Sequence, residues 1–228
     1  MPDGSAQGPK GLNTDFTRRA EMFSADMDWV DEDGRARKVL YRDLSGPAPR
    51  MTAVVRYPAG TRLPRHGHPA GEEVFVLDGV LEDDDGAYPA GSYVLLPAGS
   101  GHGTASRDGC TFFVRQGQYP GDGRPRVVLD TNAMDWQPGR IEGLESKVLF
   151  KDDATDELVR LVRVAPGCMV PDHAHPHGEE AFLISGDVVD PRGTFGPGCW
   201  TRDPADSHHW ARSEGGALLY VRSGGIGA

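Results

Sequence analysis

Residues 65–79 read RHGHPAGEEVFVLDG and residues 172–186 read DHAHPHGEEAFLISG, so an HxH pair, a nearby glutamate and an apolar run ending in glycine occur twice. The repeat extends well beyond these stretches. Gly60 and Gly167, His66 and His173, His68 and His175, Glu72 and Glu179, Gly79 and Gly186, Gly91 and Gly198, Pro97 and Pro204, and His102 and His209 are all separated by the same 107 positions. MDW at 27–29 returns at 134–136 with that offset, while VLYRD at 39–43 and VLFKD at 148–152 differ by 109, a slip assigned to the loop holding SGPAP. Self-similarity at a fixed period means two copies of one structural unit. The expected division is a frayed tail over 1–20, a first domain over 21–120, a linker over 121–127 and a second domain over 128–228. Each copy is then of single-domain size.

Within a copy the segments KVLYRDL, MTAVVRYP, EEVFVLDG, SYVLLPAG and CTFFVRQG are short, rich in Val, Leu, Phe and Tyr, and bounded by Gly, Pro and Asp. That is the signature of strands joined by turns, and six or more per unit predict an all-β sandwich or barrel. Helical periodicity is weak, with one short helix expected near TRRAEMF at 17–23.

The chain has 228 residues, 38% of them hydrophobic and 25% charged, which is enough of each for a packed core and a solvated surface. A net charge of -10, from 34 acidic against 24 basic residues, repels phosphate backbones and anionic membrane surfaces, so neither nucleic acid nor membrane is an expected partner. Cys110, Cys168 and Cys199 are isolated and odd in number, which gives no disulfide framework and fits a reducing compartment. No apolar run approaches the about 20 residues of a membrane helix, and the first residues lack the basic start and apolar core of a secretory signal. The expected location is the cytoplasm.

All eight histidines lie in the two motifs or at their edges: His66, His68, His102, His173, His175, His177, His208 and His209. On a strand, residues two apart project to one side about 7 Å apart, so each HxH pair can serve a shared ligand. A third histidine arrives some thirty residues later, after a turn has brought the chain back. Three imidazoles with one carboxylate suit a divalent transition metal such as Fe, Mn, Ni, Cu or Zn and leave a coordination position open. Strand alternation lets only one of Glu72 and Glu73, and one of Glu179 and Glu180, face such a site. Of His208 and His209, the 107 offset selects His209. His177, whose counterpart is Ala70, is expected at the rim.

The first copy, Gly60-x5-His66-x-His68-x3-Glu72-x6-Gly79 followed by Gly91-x5-Pro97-x-Gly99-x2-His102, resembles the paired signature of the cupin superfamily, and the second copy repeats the spacing with Asp206 in place of Gly99. Ser106 and Ser213 stand where the signature commonly has Asn. The stretch HPAGEEVFVLDGVLEDDDGAYPAGSYVLLPAGSGH is most similar to ChrR-like cupin domains. The resemblance implies two tandem jelly-roll barrels, a bicupin, with His66, His68, Glu72 and His102 as ligands of one metal and His173, His175, Glu179 and His209 as ligands of another. It selects Glu72 and Glu179 over their neighbours. The anti-sigma function of ChrR does not carry over, because it needs a helical zinc domain with a CxxC, and cupins commonly form dimers, the expected oligomer here.

The resemblance implies a metal-dependent, non-haem dioxygenase acting on a small diketone, phenolic or similar molecule, with Fe, Zn, Mn or Ni at each centre. The alternative is a non-catalytic zinc-binding sensor or small-molecule-binding module, and one centre could also be purely structural. Arg115 and Arg222, at matching strand ends, are candidate anion anchors, with solvated charges as the commoner case. Tyr93 and Trp200 are expected in the core, and the acidic run Glu82–Asp85 is expected as a solvated turn.

Overall fold

The structure, a computed structural model, describes residues 11–119 and 123–226. Both halves are built almost wholly of antiparallel strands, as two tandem jelly-roll barrels. In the first half the strands run in the order Gly11–Leu12, Arg35–Asp43, Arg50–Tyr57, Cys110–Gln116, Glu72–Asp83, Ser100–Ser106 and Thr61–His68. The second half places Gln137–Pro138, Leu144–Asp152, Glu157–Val164, Ala217–Ser223, Glu179–Gly186 and Cys199–Asp203 in one sheet. Met169–His175, Ser207–Arg212, Val188–Asp190 and Gly193–Phe195 form its second sheet. No helix among the described residues is long and apolar enough to cross a membrane.

The alternation along ELVRLVRV, residues 157–164, shows how sequence sets the layers. Val159 and Leu161 point into the core shared by the two halves, while Arg160, Val162 and Val164 point into the second barrel. The shared core also takes Leu40, Tyr41, Phe75 and Phe113 from the first half and Leu149, Phe182 and Tyr220 from the second. Phe113 stacks on Phe182 with centroids 4.8 Å apart, at the seam between the two copies. Gly79 and Gly186 recur because each has a positive φ, 72° and 83°, and because a Cβ there would lie 2.2 Å from the Gly109 oxygen or 1.9 Å from the Gly216 oxygen. The repeated MDW also has a physical reason. Trp29 is covered by Lys38 and Arg56, and Trp136 by Lys147 and Arg163, all 4.3–4.6 Å from the ring centroids.

Several expectations are corrected. Residues 11–20, expected as part of a frayed tail, are tied down: Gly11 and Leu12 pair with Asp43 and Arg42, Phe16 packs edge-on against Tyr41, and Arg19 lies 2.8 Å from Asp203. The tail expectation for residues 1–10 falls outside the described residues. The helix expected at 17–23 is instead a strand, Ala20–Phe23, followed by a single 3-10 turn at Ser24–Asp26. Its polar groups are taken by the open edge of the other half: Ala20 to Phe23 pair with Arg202 to Cys199. The second half returns the exchange, since Val127–Asp130 pair with Leu95 to Ser92 of the first, a strand that begins one residue inside the expected linker. Each barrel therefore borrows a strand from the stretch that precedes the other.

Arg115 and Arg222, expected as solvated charges or anion anchors, are neither. They are 2% and 1% exposed and lie between the halves. Arg115 Nε is 2.7 Å from Glu180 and its Nη1 3.4 Å from Glu73, while Arg222 Nη1 reaches Glu157 at 2.6 Å and Glu73 at 3.3 Å. Glu73 also accepts hydrogen bonds from Tyr93, at 2.7 Å, and from Tyr220, and Glu180 accepts one from Trp200 Nε1 at 2.7 Å. Each arginine thus bridges to a glutamate of the opposite copy. Tyr93 and Trp200 are buried as expected, with their polar atoms committed to this network.

Candidate metal centres

In the first barrel, His66 and His68 lie at the end of strand Thr61–His68, directly paired with Ser100–Ser106, so that His66 faces His102 in register. The three ring centroids are 4.9–5.2 Å apart, and one ring nitrogen from each lies within 4.8 Å of the others. Glu72, the first residue of the next strand, brings one carboxylate oxygen 3.5 Å from His68 Nδ1 and the other 3.5 Å from His102 Nε2, and it accepts a hydrogen bond from Gln116. Glu73 turns the opposite way, into the network between the halves, as strand alternation requires.

The outer nitrogens have partners that orient the rings. His66 Nδ1 is 3.0 Å from the Pro64 carbonyl, and His102 Nδ1 is 3.1 Å from Asp83 Oδ2. The inward atoms His68 Nε2 and His102 Nε2 are buried and have no hydrogen-bond partner. Leaving such nitrogens unpaired costs about 1–3 kcal/mol each, so the donor set fits an electrophile at its centre. Burial, reinforced by the neighbouring His102 and His66, pushes the His68 pKa down despite Glu72. Burial alone would raise Glu72, yet His102, His68 and Gln116 outweigh it and hold the carboxyl below its ordinary value. For His102 burial works downward and loses to Glu72 and Asp83, which raise it.

The second barrel repeats the arrangement. His173 pairs in register with His209, the three centroids are 4.9 Å apart, and the ring nitrogens of His173, His175 and His209 again lie within 4.8 Å of each other. His173 Nδ1 is 2.9 Å from the Pro171 carbonyl, His175 Nδ1 is 3.4 Å from Glu179, and the Nε2 atoms of His175 and His209 face each other at 3.3 Å. Burial, with His175 next in weight, pushes His209 down to about 4. His208 and His177 turn outward, with side chains 70% and 59% exposed, beside Asp172 and Asp156.

Three contributors were not singled out by the sequence. Asp83, read within a solvated acidic turn, has a side chain only 2% exposed, and Asp190 stands 3.9 Å from His209 Nδ1 in the matching place. Their separation of 107 positions is the signal that could have found them. The third is Arg160, a charge on the otherwise apolar barrel face of its strand. It borders a cavity of about 150 Å³ inside the second barrel, together with His173, Glu179 and His209.

A family model described as ChrR Cupin-like domain matches residues 17–120 and again 124–226. No curated protein matches the sequence. Among solved structures, a Nostoc punctiforme protein provisionally called a dioxygenase superposes with a TM-score of 0.76 at 18% identity, over 90% of this chain and 82% of that one. Oxalate decarboxylase of Bacillus subtilis, whose Mn(II) centres have been studied, gives 0.65 at 15% identity over 90% and 77%. The E. coli protein Ylba gives 0.69 at 16% identity over 92% and 93%. At such identities the likeness is one of fold.

Proposed function

The chain belongs to the ChrR cupin-like family, with two tandem copies of its domain, and on that premise we propose that it is a metal-dependent, non-haem dioxygenase acting on a small oxygenated molecule such as a diketone or phenolic ketone. In this reading His66, His68, Glu72 and His102 hold one divalent transition metal, and His173, His175, Glu179 and His209 hold another. The observation that carries it is the convergence of buried imidazole nitrogens, two of them without a hydrogen-bond partner, beside a carboxylate already held in its charged form. Neutral imidazoles with one carboxylate suit Fe, Mn, Ni or Zn.

When bound, the metal would supply Lewis-acid polarisation of a substrate oxygen and, for iron or manganese, redox chemistry. The protein's own part is positional. The Pro64 and Pro171 carbonyls hold the Nδ1 protons of His66 and His173, which leaves Nε2 free to point inward. Asp83 does the same for His102. The apolar lining of the second barrel excludes water and orients a bound molecule beside His173 and His209.

A zinc-binding, non-catalytic sensor is the second reading, favoured by the family match itself. Elemental analysis of protein purified without chelator or metal-binding tag, followed by oxygen-uptake assays with diketones and phenolic ketones, separates the two. Iron or manganese near two per chain with substrate-dependent oxygen uptake supports the dioxygenase. Zinc alone with no uptake transfers the weight to the sensor, and a metal-free protein overturns both.

A further inference from the structure

The two metal centres are nearly alike, but the barrels around them are not. Residues 107 positions apart occupy matching places, which allows a side-by-side reading of the interiors. In the first barrel Tyr57, Val74, Tyr88, Phe112 and Val94 are all at most 5% exposed and belong to one packed cluster. Tyr57 meets Phe112 edge-on with centroids 5.2 Å apart, and its hydroxyl is 3.0 Å from Thr104 Oγ1. These two rings occupy the places that match Val164 and Leu219 of the second barrel.

The matching residues of the second barrel are smaller. Val164 replaces Tyr57, Ala181 replaces Val74, Leu219 replaces Phe112 and Ala211 replaces Thr104. All four border the cavity of about 150 Å³ that opens next to His173, Glu179 and His209. A dry apolar cavity of about 150 Å³ is enough to take a molecule the size of benzene. It is small beside the roughly 300–1,000 Å³ pockets that hold drug-sized ligands, so its occupant is compact.

One replacement runs the other way. Where the first barrel has Ala53, the second has Arg160. It borders both the cavity and the adjoining recess that His173, His175 and Glu179 share. Its Nε is buried without a hydrogen-bond partner, and among the described residues no carboxylate lies within ion-pair distance of it. Arg19, the other cation on the cavity wall, is already paired with Asp203 and Asp190. A half-buried guanidinium without an ion-pair partner, at the wall of an apolar chamber, is placed to meet an anion that enters it.

We propose that the substrate chamber is in the second barrel alone, that it takes a compact anion with an aliphatic body, a carboxylate or an enolate, and that Arg160 is the residue that selects the anion, while the first centre is structural. The proposal rests on reading the second histidine cluster as a metal centre. The shared chemistry of carboxylate and enolate is a delocalised oxygen anion, which a guanidinium meets with two parallel N–H donors.

The test is calorimetric titration of the full chain with isovalerate and with its neutral amide, isovaleramide. It is run on metal-replete and chelator-treated wild type, on Arg160→Met and Arg160→Lys, and on a Val164→Tyr/Leu219→Phe variant that rebuilds the first barrel's filling. The expected result is one isovalerate per chain, at least tenfold tighter than the amide. Arg160→Met abolishes that preference, Arg160→Lys retains part of it, and refilling removes binding of both molecules. Two isovalerates per chain, or an unchanged preference in a folded Arg160→Met, overturns the proposal. Arg160-dependent binding in a chain that holds no metal would instead sink the metal reading and leave the anion chamber standing. Metal near two per chain without Arg160 dependence would do the reverse.

Discussion

Glu73 takes partners from both halves, and its removal is the sharpest test of how they are held together. Its carboxylate accepts from Tyr93, Tyr220, Arg115 and Arg222, two groups from each copy. In Glu73→Ala both arginines keep a second partner, Arg115 with Glu180 at 2.7 Å and Arg222 with Glu157 at 2.6 Å, so neither charge is left alone. The two phenol hydroxyls lose their acceptor in a place that water does not reach. Leaving a buried hydroxyl without its partner costs about 1–3 kcal/mol, so the pair costs about 2–6 kcal/mol, a large share of the roughly 5–15 kcal/mol that holds a folded protein together. For a chain of this size about 1 kcal/mol corresponds to about 2–4 °C, so the melting temperature should fall by roughly 4–24 °C. Glu73→Gln retains an acceptor oxygen and should lose less than Glu73→Ala. Calorimetry and urea titration followed by tryptophan fluorescence would measure both. A Glu73→Ala melting temperature within about 2 °C of wild type, or a Gln variant weaker than Ala, would refute the view that this network joins the halves.

Three further outcomes are expected. Burial raises the pKa of Tyr41 and Tyr57, lifts Tyr88 to about 12 with help from Asp83, and drives Tyr93 and Tyr220 far up with help from Glu73. The folded state thus keeps protons that the unfolded state releases near its ordinary pKa of about 10. Stability is fully present below pH 10 and falls as pH rises beyond it. Absorbance at 295 nm should show Tyr88, Tyr93 and Tyr220, three of the six tyrosines, largely silent at pH 11 in the native chain and ionised in urea; equal titration in both would refute the burial. Burial also lifts the Cys199 thiol to about 12, so at pH 8 iodoacetamide should label it far more slowly in the native than in the unfolded chain, as read by peptide mass spectrometry. Finally, His66→Ala with His68→Ala should halve the metal content and leave the second centre loaded. Loss of metal from both centres would show that they are not independent.

The repeat offset, the strand character and the histidine spacing could be read directly because each is local: it depends on residues a few positions apart or on one fixed period. The network between the halves could not. Glu73 adjoins Glu72 and follows the same alternation, but what its face meets is a second copy of the fold, and only the assembled chain brings Arg222 within 3.3 Å. Arg115 and Arg222 read as strand-end charges for the same reason. Ala20–Phe23 carries no strand period strong enough to beat a helical reading, and it is the unpaired edge of Cys199–Asp203, far away in sequence, that decides its conformation. Asp83 hid in a run of four acidic residues, of which burial selects one to hold His102. Arg160 hid because ELVRLVRV carries charges on both of its faces, and the sequence alone does not say which face turns into the barrel.

The exchange of strands also bears on where this chain can be cut. Ser92–Leu96 and Cys199–Asp203 each complete their hydrogen bonding with a segment from outside their own half. A fragment starting at residue 24 would leave Cys199–Asp203 with a bare flank of amides and carbonyls, and one ending at residue 126 would do the same to Ser92–Leu96. A bare, apolar flank of this kind is a template for edge-to-edge association between molecules. The segments at 20–23 and 127–130 thus act as stoppers against polymerisation, and a single excised barrel should be aggregation-prone even if its own core is intact.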